Sequence, residues 1–331
     1  MRLRLAALAA IIPAFLLGAC VTQGPLNRSI PLAARDKIAA TDVIMPIGQN
    51  EIVIAIPVST AGASGAASMG LLGALVGSLV DAGIDAGNAT AAETSVKPLR
   101  NAMVDFSFDD TLNADMQSRM TQATWVNPGG YRVIKEVTPQ NLEKVLKDSK
   151  ASTLLFTSAS YSLNFNADHL SITMVSRLLP NTPELKALLP EKFDPKASQI
   201  TSANELYRNT FIFDTAVAGA TTNRDANIVL WSANNGAAMR DALKLGSAKL
   251  TEMLVADLIA EPSLPIDPKT TTLKTYKGAA GIYVVSKDDV GTFIVQQSGL
   301  RSYVTDMAGV PLVAPPAEKP KASGKTKTGT R

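Results

Sequence analysis

Three long runs rich in β-branched and aromatic residues constrain the fold of this chain most strongly. Residues 151–165 read ASTLLFTSASYSLNF, and residues 169–180 read HLSITMVSRLLP. Only the short turn at 166–168 separates them, which predicts a β-hairpin. A third run at 205–219, ELYRNTFIFDTAVAG, has the same character. These runs predict a sheet with antiparallel strands at the centre of the fold.

Helical patterns lie on both sides of the predicted hairpin. Residues 109–120 repeat apolar side chains at helical spacing, with acidic residues at the start. Thr138 fits the cap of a second helix, and Pro139 fits its first turn. Residues 239–261 carry the strongest pattern, with leucines on one face and Gly246 allowing close approach of another element. The sequence therefore predicts helices packed on the sheet.

Shorter runs complete the predicted architecture. We expect further strands at 51–59, 131–135 and 227–232, the last pairing with the run at 205–219. The order of elements predicts an α+β domain over residues 42–262, with helices on a mixed sheet of about five strands. Residues 263–313 contain the runs IYVVS and TFIVQQ, which predict a small C-terminal β-hairpin module. Residues 314–331 are predicted to be a disordered basic tail.

The beginning of the chain has the pattern of a signal peptide. Arg2 and Arg4 precede an apolar run over residues 6–17. This run is too short to cross a bilayer core, which needs about 20 apolar residues. Residues 1–19 are therefore predicted to direct secretion and then to be removed.

The chain's single cysteine, Cys20, follows this segment directly. The tetrad Leu17-Gly18-Ala19-Cys20 resembles the lipobox of bacterial lipoproteins. That resemblance implies that the lipoprotein signal peptidase recognises residues 17–19 and that the Cys20 thiol carries diacylglycerol. It also implies cleavage before Cys20 and acylation of the new amine. Two or more buried acyl chains hold a protein stably on a membrane.

The residues after Cys20 suggest where the protein resides. Val21 and Thr22 follow the cysteine, and the second mature position carries no Asp. Among bacterial lipoproteins, the resemblance then implies the outer membrane, facing the periplasm. We expect residues 20–41 to be a lipidated tether that lifts the domain off the membrane, and no cofactor other than the covalent lipid.

The order of elements across 125–260 is also similar to the small α/β domain of envelope lipoproteins such as the curli-secretion lipoprotein. This resemblance implies an envelope role for the folded domain. It rests on the succession of strands and helices between residues 125 and 260.

A segment rich in Gly and Ala, residues 60–92, interrupts the predicted domain. Gly70, Gly73 and Gly77 stand at spacings that leave a smooth stripe on a helix. One interpretation is a flexible insertion, or a helix packed on its own domain. The alternative is a segment that contacts the membrane or assembles copies of the chain into a homo-oligomer.

Charge and composition exclude some functions and leave others without support. The formal net charge is +3, and loss of Arg2 and Arg4 leaves +1. Residues 318–331 hold five basic residues and one acidic residue, so the body carries about −3. This distribution argues against a nucleic-acid partner. The lone histidine, His169, and scattered acidic residues are the only basis for an envelope hydrolase, and no metal site is indicated.

These observations predict a non-enzymatic binding or scaffolding protein of the cell envelope. Its partners would be the membrane, through the lipid, and other envelope proteins. A self-assembling secretion or pore-type lipoprotein that uses the Gly-rich segment is the alternative. The hydrolase has the least support.

Overall fold

Helices pack on both faces of one mixed β-sheet, as the predicted α+β class requires. Within the described residues the sheet has ten strands, twice the number expected. The computed structural model describes residues 27–55, 86–189, 204–260, 272–273, 282–296 and 299–305.

The described residues form six α-helices and ten strands, each set numbered in chain order. The helices are α1 (Leu32–Arg35), α2 (Ala86–Ala102), α3 (Phe108–Arg119), α4 (Pro139–Asp148), α5 (Pro183–Lys186) and α6 (Arg224–Ile259). The strands are β1 (Thr41–Pro46), β2 (Val53–Ile54), β3 (Pro128–Ile134), β4 (Thr153–Leu163), β5 (His169–Pro180), β6 (Tyr207–Ala216), β7 (Thr272–Leu273), β8 (Ile282–Lys287), β9 (Thr292–Gln296) and β10 (Arg301–Val304).

The predicted hairpin forms the middle of the sheet. Strands β4 and β5 pair in antiparallel register from Thr153 opposite Pro180 to Leu163 opposite Leu170. The strand order is β3-β1-β4-β5-β6-β10-β9-β8-β7, and β2 pairs with β4 next to β1. Strand β1 lies parallel to both neighbours, and β6 lies parallel to β10. The C-terminal hairpin of β8 and β9 is present, and β10 joins it to the main sheet.

Two of the three apolar clusters among the described residues lie on opposite faces of the sheet. Helices α2, α3 and α6 cover one face, where alternate residues of β5, including Leu170, Ile172 and Met174, are buried. Helix α4 covers β1, β3 and β4 on the other face, where Leu142 packs in a cluster with Phe156. Alternation along each strand places every second side chain on the same face.

The starts of α3 and α4 follow local capping chemistry. The Thr138 hydroxyl accepts a hydrogen bond from the Asn141 N–H at 3.2 Å, which confirms the predicted cap of α4. Helix α3 begins at Phe108, and its cap is Ser107, which accepts from the Asp110 N–H at 3.3 Å. Asp110 therefore lies in the first turn of α3, where a negative charge favours the helix.

The strand predicted at 227–232 is wrong, because these residues form the beginning of α6. The Asn223 side chain caps this helix by accepting a hydrogen bond from the Ala226 N–H at 3.0 Å. Ile228 and Trp231 are buried one turn apart, whereas Val229 is 65% exposed. That pattern has the period of a helix rather than of a strand.

A local break divides α6 within its first half. Residues 233–236 leave helical geometry, and Asn234, Asn235 and Gly236 all have φ between 51° and 71°. Asparagine and glycine adopt this left-handed conformation more readily than other residues. The second part of α6 corresponds to the helix predicted at 239–261.

Part of the segment predicted as a tether, residues 20–41, packs on the folded body. Residues 27–40 pack on the domain, and Ile30, Ala34 and Ile38 are buried. Strand β1 follows at once and was not predicted. The strand expected at 51–59 is limited, within the described residues, to the two residues of β2.

Candidate functional site

The N-terminal segment joins the body at one end of the sheet. Arg28 and Arg208 form an isolated antiparallel bridge, with N–H to O distances between their backbones of 2.7 Å and 3.0 Å. We call this end, built by residues 27–38, the end of β5 and the start of β6, the docking end. The turn at 164–168 marks the far end. Strand β5 has twelve residues, so the two ends lie about 40 Å apart.

A buried ion pair fixes the docking end. The Arg177 guanidinium lies 3.0 Å from Glu205 Oε1, and their side chains are only 4% and 1% exposed. Arg28 Nη1 donates to the Glu205 carbonyl oxygen at 2.7 Å. Burial raises the pKa of Glu205, although the charges of Arg177, Arg208 and Arg28 favour its ionised form. Burial likewise lowers the pKa of Arg177. This cluster ties the N-terminal segment to β5 and β6.

A second contact at the docking end closes the last turn of α6. Arg35 Nη2 donates to the Ala260 carbonyl at 2.5 Å, and Nη1 donates to the Ile259 carbonyl at 3.5 Å. The same guanidinium lies 5.1 Å from the centre of the Trp125 ring. The Trp125 indole donates to the Leu258 carbonyl at 2.9 Å. A cation at the C-terminus of a helix satisfies free carbonyl groups and complements the helix dipole.

A shallow depression lies between α4, α5 and β5. It is lined by Leu146, Leu154, Leu179, Pro180, Asn181, Lys186 and Asn204. Its interior has room for about one water molecule. This space is too small for an organic ligand of the size that typical binding pockets hold.

A buried carboxylate holds the C-terminal strands against α6. Asp257 of α6 accepts hydrogen bonds from the Tyr207 hydroxyl and from Asn209 Nδ2, both at 2.7 Å. Its other oxygen lies 2.5 Å from Arg301 Nη2, and both side chains are almost completely buried. Burial and the nearby Asp257 raise the pKa of Tyr207 well above its ordinary value. Asp257 therefore links β6, β10 and α6.

His169 is the first residue of β5 and follows the turn at the far end directly. The Asn164 side chain accepts hydrogen bonds from the backbone N–H groups of Asp168 and His169. His169 Nδ1 lies 3.4 Å from Asp168 Oδ1. Burial acts to raise the pKa of Asp168, but hydrogen bonds from Asn164 and His169 outweigh it and the pKa is lowered. These contacts give His169 a role in organising the turn.

Helix α6 supports the same turn. Trp231 Nε1 donates to the Ala167 carbonyl at 2.8 Å, and Asn227 Nδ2 donates to the Asn166 carbonyl at 2.9 Å. Ala167 has a φ of 54°, a conformation that is unfavourable for a residue with a Cβ. The indole and amide donors fix the backbone of the turn in place.

The Gly-rich segment is attached at the far end. The Ala55 N–H, just before this segment, donates to the Leu163 carbonyl at 2.7 Å. Just after it, Ser95 of α2 donates to Asp225 Oδ1 at 2.7 Å, and Asp225 lies in the first turn of α6. The segment therefore joins the body at the end opposite to the docking end.

The site residues predicted from the sequence lie outside the described residues. They are Leu17, Gly18, Ala19, Cys20, Gly70, Gly73 and Gly77. The basic tail at 314–331 lies outside as well. The sequence reasoning missed Arg28 and Arg35, which fell in the predicted tether. The four-residue spacing of Ile30, Ala34 and Ile38 was the signal that this segment packs on a core.

Comparison with models of known protein families finds no match, and a comparison with curated proteins finds none. Across the part of the chain that the structure describes, no helix has the length and hydropathy needed to cross a membrane. Those same residues bring no three His, Cys, Asp or Glu side chains together in a way that could hold a metal ion.

Proposed function

We propose that the chain is a lipid-anchored bacterial envelope protein that binds or scaffolds other envelope proteins without catalysing a reaction. Cys20 would carry the lipid, in the outer membrane and facing the periplasm. The observation that carries this proposal is the lipobox-like tetrad at residues 17–20, which ends seven residues before the first described residue, Asn27. Seven residues span at most about 25 Å. The docking end would therefore lie close to the membrane.

The described polar clusters support a binding role because each has a structural partner. Glu205 and Asp257 connect secondary-structure elements, and His169 pairs with Asp168 beside a turn. The long β4–β5 hairpin and α6 give a stable body between the docking end and the far end. Such a body can present a surface at a fixed distance from the membrane.

A second candidate is self-assembly through the Gly-rich segment. Its attachment beside Leu163 and Asp225 places its starting points about 40 Å from the docking end. A partner, or a second copy of the chain, would then meet the attachment points of this segment at the far end of the body.

Cell fractionation tests the anchor. A Cys20→Ala variant should move to the soluble periplasmic fraction and lose labelling by radioactive fatty acid. A Thr22→Ala variant keeps the cysteine and serves as the matched control. If the Cys20→Ala variant remains membrane-bound and labelled like the control, the proposal fails.

Light scattering tests the second candidate. The detergent-extracted protein should form a defined oligomer, and a variant without residues 62–87 should be a monomer. An unchanged molar mass after the deletion would remove self-assembly through this segment. The anchor at Cys20 would be unaffected by that result.

A further inference from the structure

We propose that the docking end rests directly on the phospholipid surface, with Leu32 and Ile259 entering the headgroup region. This inference rests on the proposed lipid anchor at Cys20. It adds a second membrane contact, made by the folded body itself. The occupant of this surface is the lipid bilayer.

Two exposed aliphatic side chains flank one arginine at the docking end. Leu32 is 49% exposed and lies one helical turn before Arg35 in α1. Ile259 is 47% exposed, and its carbonyl accepts a hydrogen bond from Arg35. Single exposed aliphatic residues are ordinary on protein surfaces. What distinguishes this pair is its position at the end from which the chain leaves toward Cys20.

The residues around this pair have the composition of a membrane-contacting surface. Trp125 is partly exposed, and its indole N–H is bound to the Leu258 carbonyl. Arg35 lies over the Trp125 ring, and Lys37 is exposed on the same segment. Tryptophan and basic side chains favour the layer between headgroups and acyl chains. Asp36 is an acidic neighbour, and its charge opposes the attraction of the basic residues to anionic lipid. The aliphatic pair, Leu32 and Ile259, is therefore the main determinant of membrane contact.

The length of the connecting chain brings the bilayer to this surface. Cys20 stands seven residues before Asn27, so the lipid lies within about 25 Å of the docking end. Val229 is also an exposed aliphatic residue, but it lies on the part of α6 that supports the far end. Val229 therefore provides a matched control for exposure without proximity to the anchor.

Fluorescence quenching in vesicles tests this orientation. Variants Leu32→Cys, Ile259→Cys and Val229→Cys of the full lipidated protein would each carry an environment-sensitive dye. Lipidation blocks Cys20, so the introduced thiol is the only one that reacts. The proteins are reconstituted into phosphatidylethanolamine and phosphatidylglycerol vesicles that contain nitroxide-labelled lipid. An unchanged thermal melt for each variant shows that the fold is retained.

We expect about twofold or greater quenching at positions 32 and 259, with little at position 229, because the nitroxide reaches only groups near the acyl region. Equal quenching at the three positions would overturn the proposal. Energy transfer between dyes at position 32 of separate copies, without lipid quenching, would also overturn it, since the pair would then contact a second protein. Flotation of the unmodified protein with vesicles measures membrane attachment through Cys20 separately. If the protein fails to float with vesicles, the anchor and this inference both fail.

Discussion

The backbones of Arg28 and Arg208 exchange two hydrogen bonds, so the first described residues of the chain are part of the sheet. Arg28 lies on the side of β6 away from β5, the side that β10 occupies further along the strand. The N-terminal segment is thus held at a fixed point of the body. Any lipid on Cys20 would be connected to that point by a short stretch of chain.

Removing the Arg35 side chain should destabilise the docking end. The Arg35→Met variant keeps an aliphatic stem but loses the donors to the carbonyl groups of residues 259 and 260. We expect a loss of about 1–2 kcal/mol in the free energy of unfolding, measured by urea denaturation of the purified protein. Lys37→Met changes an exposed cation nearby and should cost less than about 0.5 kcal/mol. Equal losses in the two variants would contradict the capping role of Arg35.

Neutralising Asp257 should weaken the attachment of the C-terminal strands. The Asp257→Asn variant leaves the buried Arg301 guanidinium without its counter-charge. We expect destabilisation of about 3–5 kcal/mol, because an uncompensated buried charge is costly. Replacing both residues, as Asp257→Leu with Arg301→Met, should cost clearly less than the sum of the single replacements. Strictly additive losses in urea denaturation would show that the two side chains do not act as a pair.

Acid should remove the stabilisation that Asp288 provides. Hydrogen bonds from Lys249 and Tyr303 hold the pKa of Asp288 well below its ordinary value. A carboxyl whose pKa is lowered by folding stabilises the native state above its unfolded pKa of 3.8, and this contribution is lost as the pH falls below that value. The difference in unfolding free energy between the wild type and Asp288→Asn should therefore shrink from neutral pH to about pH 2.5. A constant difference over that range would contradict this assignment.

Adding one methyl group to the middle of α6 should disturb the main core. A Cβ at Gly246 would lie 2.4 Å from Ile172 Cδ1 and 2.8 Å from Phe213 Cδ1. Overpacking of this kind costs about 1–3 kcal/mol. Alanine in an open helical position instead gains about 1 kcal/mol over glycine. We expect the thermal midpoint of Gly246→Ala to fall, because overpacking outweighs the gain in helix propensity. An increase would show that the helix does not approach the sheet this closely.

The central hairpin could be predicted because the residues that determine it are neighbours in the sequence. Alternating side chains in β5 and the short turn between β4 and β5 specify two long strands and their pairing. The close approach of α6 to the sheet could also be predicted, since Gly246 interrupts a leucine-rich helical face. These features depend on residues that are neighbours in the sequence.

The missed features depend on distant partners. Strand β1 is short and contains Asp42 and Pro46, and it is completed by pairing with β3 and β4. Residues 227–232 have the β-branched composition of a strand, but the Asn223 cap and burial of Trp231 place them in a helix. Arg28 gains its role only through β6. Sequence patterns do not show such long-range pairings.

Mass spectrometry of the mature N-terminus tests the central claim most directly. The protein would be purified from the membrane fraction, digested, and its N-terminal peptide measured. We expect a peptide that begins at Cys20 and carries the added mass of a diacylglyceryl group and an N-linked acyl chain. A peptide that retains residues 1–19, or that contains an unmodified Cys20, would contradict the account.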